Sequence, residues 1–153
     1  MANTFTKVYI QIVFVVKGRE NLISKDWRSK LHKYISGIIT AKSHKSIIVN
    51  GVGDHVHCFI GLNPNMSISD LARDIKNNSS KFINENKFVK GKFQWQHGYG
   101  AFSYSETAVK NVYNYVLNQE EHHKERDFKR EFIDLLERYE IEYKPEYLFD
   151  FLD

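Results

Sequence analysis

The run Lys7-Val-Tyr-Ile-Gln-Ile-Val-Phe-Val-Val16 constrains this chain more than any other segment. Its residues are β-branched or aromatic almost throughout, and such side chains suit a pleated, covered surface. They are apolar at successive rather than alternate positions, so both faces of the strand are expected to be covered. That pattern reads as a central, largely buried strand. Gln11 interrupts the apolar stretch, which is far too short to cross a bilayer.

The rest of the chain supplies what must surround such a strand. Lys17-Gly-Arg-Glu-Asn21 is a turn. A helix is expected from Ser24 or Lys25 to about Ala41, with Leu31, Tyr34, Ile35, Ile38 and Ile39 on one face. Lys45 to Asn50 is a second strand, Gly51, Gly53 and Asp54 supply turn chemistry, and His55 to Leu62 completes an antiparallel hairpin. After the break at Asn63-Pro64-Asn65, Ser67 or Ser69 caps a helix to about Asn84, with Ile68, Leu71, Ile75, Ser79 and Phe82 on one side. A basic loop around Gly91 leads to a strand within Phe93 to Ser105. A helix then runs from Ser105 to about His122, packing through Val109, Val112, Val116 and Leu117. A last helix covers about Phe128 to Tyr139, and the tail carries Tyr147, Leu148, Phe149 and Phe151.

The order strand, helix, strand, strand, helix, strand, helix is the split βαβ arrangement of ferredoxin-like folds. The expectation is an α+β protein, RRM-like in outline, with a central antiparallel sheet, helices on one face and a further helix towards the C-terminus. No repeat or linker divides the chain, so residues 1–153 read as one domain. A hydrophobic content of 42% is enough for one core.

Cys58 is the single cysteine, which excludes an intramolecular disulfide and a cysteine-based zinc site and fits a reducing cytoplasm. Met1-Ala-Asn-Thr-Phe-Thr-Lys7 lacks a basic patch followed by a long apolar run, so no signal peptide is expected. The net charge of +3 hides an asymmetry: residues 1–105 hold 15 basic and 6 acidic side chains, residues 106–153 hold 7 and 13. A basic front part attracts polyanions, although a solvated surface of uneven charge reads the same way.

Two groups of residues carry chemistry. In Val52-Gly-Asp-His-Val-His-Cys-Phe-Ile60, strand alternation puts His55 and His57 on one face, and two adjacent imidazoles are half of a metal site. Apolar flanks make that strand buried on one side, so the histidine face is solvent, a cleft or a site. Asp54 is either a turn residue or a partner that orients an imidazole. In Tyr115-Val-Leu-Asn-Gln119, a spacing of four puts a phenol and an amide on one helix face, which His122 shares and Tyr113 does not. Tyr115 read alone, one of nine tyrosines, is more simply a packing aromatic. His97, His122 and His123 take no role.

In order along the chain, four segments resemble the single-tyrosine HUH transposases of bacterial insertion sequences, a group that includes the REP-associated tyrosine transposases. They are Asp54-His55-Val56-His57, Lys76-Asn-Asn-Ser-Ser-Lys-Phe82, Trp95-Gln-His-Gly-Tyr-Gly-Ala-Phe-Ser103 and Tyr115-Val-Leu-Asn-Gln119-Glu-Glu-His-His123, with Glu146-Tyr-Leu-Phe149 near the end. The resemblance implies that His55, His57 and Gln119 bind a divalent ion, Mg or Mn. It implies that Tyr115 attacks a phosphodiester of single-stranded DNA, leaving a 5′-phosphotyrosine and a free 3′-OH that can later rejoin strands. It further implies DNA hairpins at element ends as ligands and a homodimer, in which the tyrosine helix of one subunit can complete the site of the other. Candidate DNA contacts are Lys17, Arg19, Lys76, Lys81, Lys87, Lys90 and Lys92, each of which reads equally as surface solvation. Two alternatives stay open: a domesticated relative that processes hairpins without moving an element, and a non-catalytic module that stacks bases on aromatic strands. A rolling-circle initiator fits less well, because no second tyrosine shares the Tyr115 face.

Overall fold

The computed structural model of the chain describes residues 4–125 and 127–144. The aromatic tail and the Glu146–Phe149 segment lie outside the described residues. Four antiparallel strands form one sheet in the order β2-β3-β1-β4: β1 is Tyr9–Val15, β2 Lys45–Gly51, β3 His55–Gly61 and β4 Gly100–Tyr104. The long helices are α1 (Lys25–Ala41), α2 (Ile68–Glu85), α3 (Val109–Leu117), α4 (Gln119–Glu125) and α5 (Phe128–Arg138). This is the split βαβ order, with the first strand at the centre between β3 and β4.

Strand alternation divides the buried residues of β1 between two layers. Ile10, Ile12 and Phe14, with Val56, Cys58 and Ile60 of β3, face α1 and α2, which contribute Trp27, Leu31, Ile35, Ile39, Leu71, Ala72, Ile75 and Ile83. Ser24 and Ser67 cap these helices, their side chains accepting the backbone N–H groups of Asp26 and Asp70. Tyr34, expected on the buried face of α1, is instead 38% exposed and stacks on Phe82 at 4.1 Å.

The other sheet face is also covered, which the expectation of helices on one face did not include. Val13, Val15 and Phe102 pack against Phe128, Phe132, Leu135 and Leu136 of α5, and Phe59 packs against Val112 and Val116 of α3. Covering this side removes the open aromatic platform that a base-stacking module needs. Leu117, expected in the packing, is 50% exposed.

Two further corrections concern element ends. The strand expected within Phe93 to Ser105 is regular only over Gly100–Tyr104; its leading segment joins the sheet through a single bridge, Trp95 to Val16. That segment is held instead by α2. Asn84 brackets Phe93 with two hydrogen bonds, Trp95 Nε1 donates to Ser79 Oγ, and Lys76 Nζ donates to the carbonyls of Gln96 and Gly98 at 2.7 and 3.0 Å. The helix expected from Ser105 to His122 starts as a short 3-10 turn and breaks at Asn118. The break has a non-local cause: Asn50 Nδ2 on β2 donates to the carbonyls of Val116 and Leu117 at 2.9 and 3.1 Å.

Gly100 sits where β4 meets α5. A Cβ there would lie 2.7 Å from Phe132 Cε1 and 2.9 Å from Cζ. Gly100→Ala is therefore expected to push α5 off the sheet and lower stability by about 1–3 kcal/mol in urea unfolding. An unchanged midpoint would mean that α5 is not packed as described.

Candidate active site

The layer under α3–α5 holds the polar residues. His55 and His57 project from β3 on the same face as Phe59, and both are fully buried, as are Gln119 and Glu131. Each imidazole is aimed by a partner at its Nδ1. His55 Nδ1 lies 2.7 Å from Asp54 Oδ1, and His57 Nδ1 lies 2.5 Å from Gln11 Oε1. Gln11 cannot turn freely, because its amide nitrogen donates to the Tyr104 hydroxyl at 2.8 Å. Asp54 thus fills both roles left open by the sequence, in the turn and on the imidazole. With each Nδ1 facing an acceptor oxygen on the outer side, the Nε2 atoms point into the protein.

There they meet the Glu131 carboxylate of α5. His57 Nε2 is 3.2 Å and His55 Nε2 3.7 Å from Glu131 Oε1. Gln119 Oε1 is 3.0 Å from His55 Nε2, and its amide nitrogen is 3.4 Å from Glu131 Oε2. The Tyr115 hydroxyl donates to Glu131 Oε2. The phenol ring stands edge-on to His57, and the His122 ring lies 4.7 Å from it. Tyr115, Gln119, His55 and His57, picked from spacing and resemblance, thus converge within one chain, although the helix joining the first two is broken.

Glu131 and Gln11 were missed. Both left a trace in the sequence. Glu131 falls on the apolar stripe Phe128, Phe132, Leu135 of an amphipathic helix, where an acid is out of place. Gln11 is the polar interruption of an otherwise apolar strand.

The cluster couples buried ionisable groups. Burial pushes the His57 pKa down, against the pull of Glu131. Burial alone would raise the Glu131 pKa, but attraction to His57 and hydrogen bonds from His123 and His57 outweigh it and hold the carboxyl far below the usual range. A buried carboxylate requires a positive partner, which a proton on a facing imidazole or a cation can supply. Ligand atoms of His55, His57 and Glu131 all lie within 4.8 Å of one another, and nitrogen with carboxylate oxygen is a donor set for a divalent metal ion. The residues present therefore fit such an ion.

Beside Tyr115 and Glu131 a cleft of about 390 Å³ opens, lined also by Asn111, Asp134, Arg138 and Tyr139. The expected DNA contacts lie elsewhere. Lys17 and Lys92 line a separate groove of about 420 Å³ with Gln94 and His97. Lys76 borders it, but its ammonium is engaged by two carbonyls. Arg19 belongs to the 3-10 turn after β1, Lys81 lies 3.7 Å from Glu85 on α2, and Lys87 and Lys90 are exposed in the loop beyond.

Comparison with known proteins agrees with the fold. Residues 4–119 match the family described as "Transposase IS200 like". No curated protein is similar enough to count as a relative. Two solved structures are similar at TM-scores of 0.63 and 0.60. One is a candidate transposase from Deinococcus radiodurans, 19% identical over 78% of this chain and 95% of that one. The other is a REP-associated tyrosine transposase bound to a REP hairpin, 13% identical over 80% of this chain and 73% of that one. The chain belongs to the IS200-like transposase family, and its fold is that of a tyrosine transposase. Among the described residues no helix is long and apolar enough to cross a membrane.

Asp54 gives the site a pH signature. Burial raises its pKa, but the hydrogen bond and charge of His55 outweigh that and leave it below the ordinary value. A depressed folded-state pKa means that the unfolded chain takes up the proton first. The contribution of Asp54 is thus complete above about pH 4 and is lost as the pH falls further, through the folded-state value. Asp54→Asn should flatten this acid limb of a stability–pH profile measured by chemical unfolding; an unaltered limb would show that the contact contributes nothing.

Proposed function

We propose that the protein is a metal-dependent strand transferase for single-stranded DNA that works through Tyr115. The observation that carries this reading is the hydrogen bond from the Tyr115 hydroxyl to Glu131, the same carboxylate that faces both His Nε2 atoms. His55, His57, Gln119 and Glu131 hold a divalent ion, Mg²⁺ or Mn²⁺ on the resemblance, with imidazole donors better suited to Mn²⁺. When bound, that ion polarises the scissile phosphodiester.

The protein does the rest. Glu131 Oε2 fixes the phenol at the mouth of the cleft, where Arg138 offers a positive charge to a DNA phosphate. The Tyr115 oxygen attacks phosphorus, the bond from phosphorus to the 3′-oxygen breaks, and the 3′-oxygen leaves with the proton lost by the phenol. The chain then carries a 5′-phosphotyrosine. Because the bond is exchanged and not hydrolysed, a later 3′-OH can reverse the step and free Tyr115. Burial of the histidines and Gln119 keeps bulk water from competing.

Hairpin DNA is the substrate best supported, since the similar REP-associated transposase is bound to one. Lys17 and Lys92, with Arg19, Lys81, Lys87 and Lys90, supply phosphate contacts in this reading. The catalytic set is contained in one chain, so a homodimer is not needed to assemble it.

Incubation with a labelled single-stranded hairpin and Mn²⁺ should give an adduct that survives denaturation. Tyr115→Phe should abolish it, and His57→Ala should abolish cleavage while leaving hairpin binding intact. An adduct that persists in Tyr115→Phe would sink the assignment of the nucleophile, and cleavage with no adduct would point to water.

A further inference from the structure

The cleft beside Tyr115 has walls that the reaction at phosphorus does not use. It lies between two helix faces. Asn111, Val112 and Tyr115 line it from α3, and Glu131, Leu135 and Arg138 line it from α5. Each set recurs at helical spacing and so forms one face of its helix. Helices that face each other usually interdigitate their side chains. Here each packs on the sheet instead, α3 through Val112 and Val116 on Phe59, α5 through Phe128, Phe132, Leu135 and Leu136 on Val13, Val15 and Phe102. The Tyr115–Glu131 hydrogen bond spans the gap, and a volume of about 390 Å³ stays open beside it.

The lining suits a flat, partly polar ligand. Tyr104 and Tyr139 add aromatic surface, and both are held in place: Tyr104 accepts from the Gln11 amide at 2.8 Å, and Tyr139 donates to the Ser103 carbonyl at 2.9 Å. Val112 and Leu135, buried in the layer behind, add apolar surface. Asn111 and Arg138 bring polar groups from exposed positions. Apolar and aromatic walls with a few polar groups, around roughly 300–1,000 Å³, are the usual make-up of a small-ligand site. Tyr115 is itself a wall, so what fills the cleft in the reaction is joined to the phosphate that Tyr115 attacks. The phosphate belongs with Arg138, and the apolar and aromatic walls fit the base next to it. A base in a duplex is covered on both faces and paired along its edge, so only an unpaired one can turn in.

We propose that the cleft between α3 and α5 is a nucleobase pocket, and that it takes the unpaired base of the nucleotide on the 3′ side of the cut. This rests on the strand-transfer reading above and adds the part of the substrate that the protein grips. The tether decides the side. The nucleotide left on Tyr115 through its 5′-phosphate stays within reach of the cleft throughout the covalent stage, whereas the strand that ends in a 3′-OH is free to leave. Contact with aromatic and apolar walls tolerates any base, because every base has a face to stack. The pocket thereby makes an unpaired strand a requirement of the site.

The test is methyl NMR of the full chain with Mg²⁺ present, read on the Val112 and Leu135 signals. The probes are thymidine 5′-monophosphate, thymidine 3′-monophosphate and deoxyribose 5-phosphate. The 5′-monophosphate should shift both signals through the ring current of its base. It should bind at least about fivefold more tightly than deoxyribose 5-phosphate, the low end of what one stacked base contributes. The 3′-monophosphate should bind more weakly than the 5′-monophosphate. Single-stranded oligothymidylate should move the same signals, and its duplex with oligodeoxyadenylate should not. Asn111→Trp, which fills the cleft from an exposed position, should remove the response while circular dichroism stays the same.

The failures separate. Equal binding of thymidine 5′-monophosphate and deoxyribose 5-phosphate, or no shift with either, overturns the base pocket. A response that survives in folded Asn111→Trp does the same, since the base then sits elsewhere. Preference for the 3′-monophosphate overturns the assignment to the 3′ side of the cut. A response to the mononucleotide but not to oligothymidylate makes the cleft a site for free nucleotides and overturns its role on DNA. None of these results bears on the covalent adduct of Tyr115, and its absence alongside the expected shifts would overturn strand transfer and leave the pocket standing.

Discussion

A carboxylate buried among imidazoles is the constraint on which the site depends. Glu131 is 1% exposed, and its two oxygens face different groups: Oε1 the Nε2 atoms of the histidines, Oε2 the Tyr115 phenol and the Gln119 amide. Removing a carboxylate from water costs several kcal/mol even after relaxation. Apolar packing of α5 through Phe128, Phe132, Leu135 and Leu136 brings the charge in, where the Tyr115 phenol and the Gln119 amide donate to it and two imidazoles face it. A buried acid tied to so many polar groups at the edge of a cleft marks a candidate functional site.

The sheet separates these two demands. One face is apolar through its centre and packs under α1 and α2. The other carries Gln11, His55 and His57 among its apolar residues, under three shorter helices. Because β1 and β3 pair in register, with Val13 opposite His57 and Val15 opposite His55, the imidazoles cannot shift without moving the apolar core behind them. Rigidity in the first layer thus becomes precision in the second.

What the sequence disclosed follows the range of the interactions involved. The strand-period placement of His55 and His57 is local, and so is the α2 cap, which the sequence narrowed to Ser67 or Ser69 and the structure assigns to Ser67. The four-residue spacing of Tyr115 and Gln119 led to a correct grouping through an unbroken helix that does not exist, since Asn50 breaks it from another strand. Lys76 looks like any surface cation until its carbonyl partners twenty residues away are known. Glu131 lies on a helix whose sequence period says which face is inward, but not that this face ends on the two imidazoles. Convergence of side chains from β1, β3, α3, α4 and α5 is a property of the tertiary packing, and no window of sequence contains it.

The same packing bears on how the tyrosine is supplied. Asn50 binds the last two carbonyls of α3, and Val112 and Val116 are buried against Phe59. Moving α3 to another subunit would break both hydrogen bonds, each contributing about 0.5–1.5 kcal/mol, and would expose two valines. A symmetric exchange would restore the same contacts on the partner, so the cost of exchange lies in the connection at Asn118 and not in the α3 interface itself.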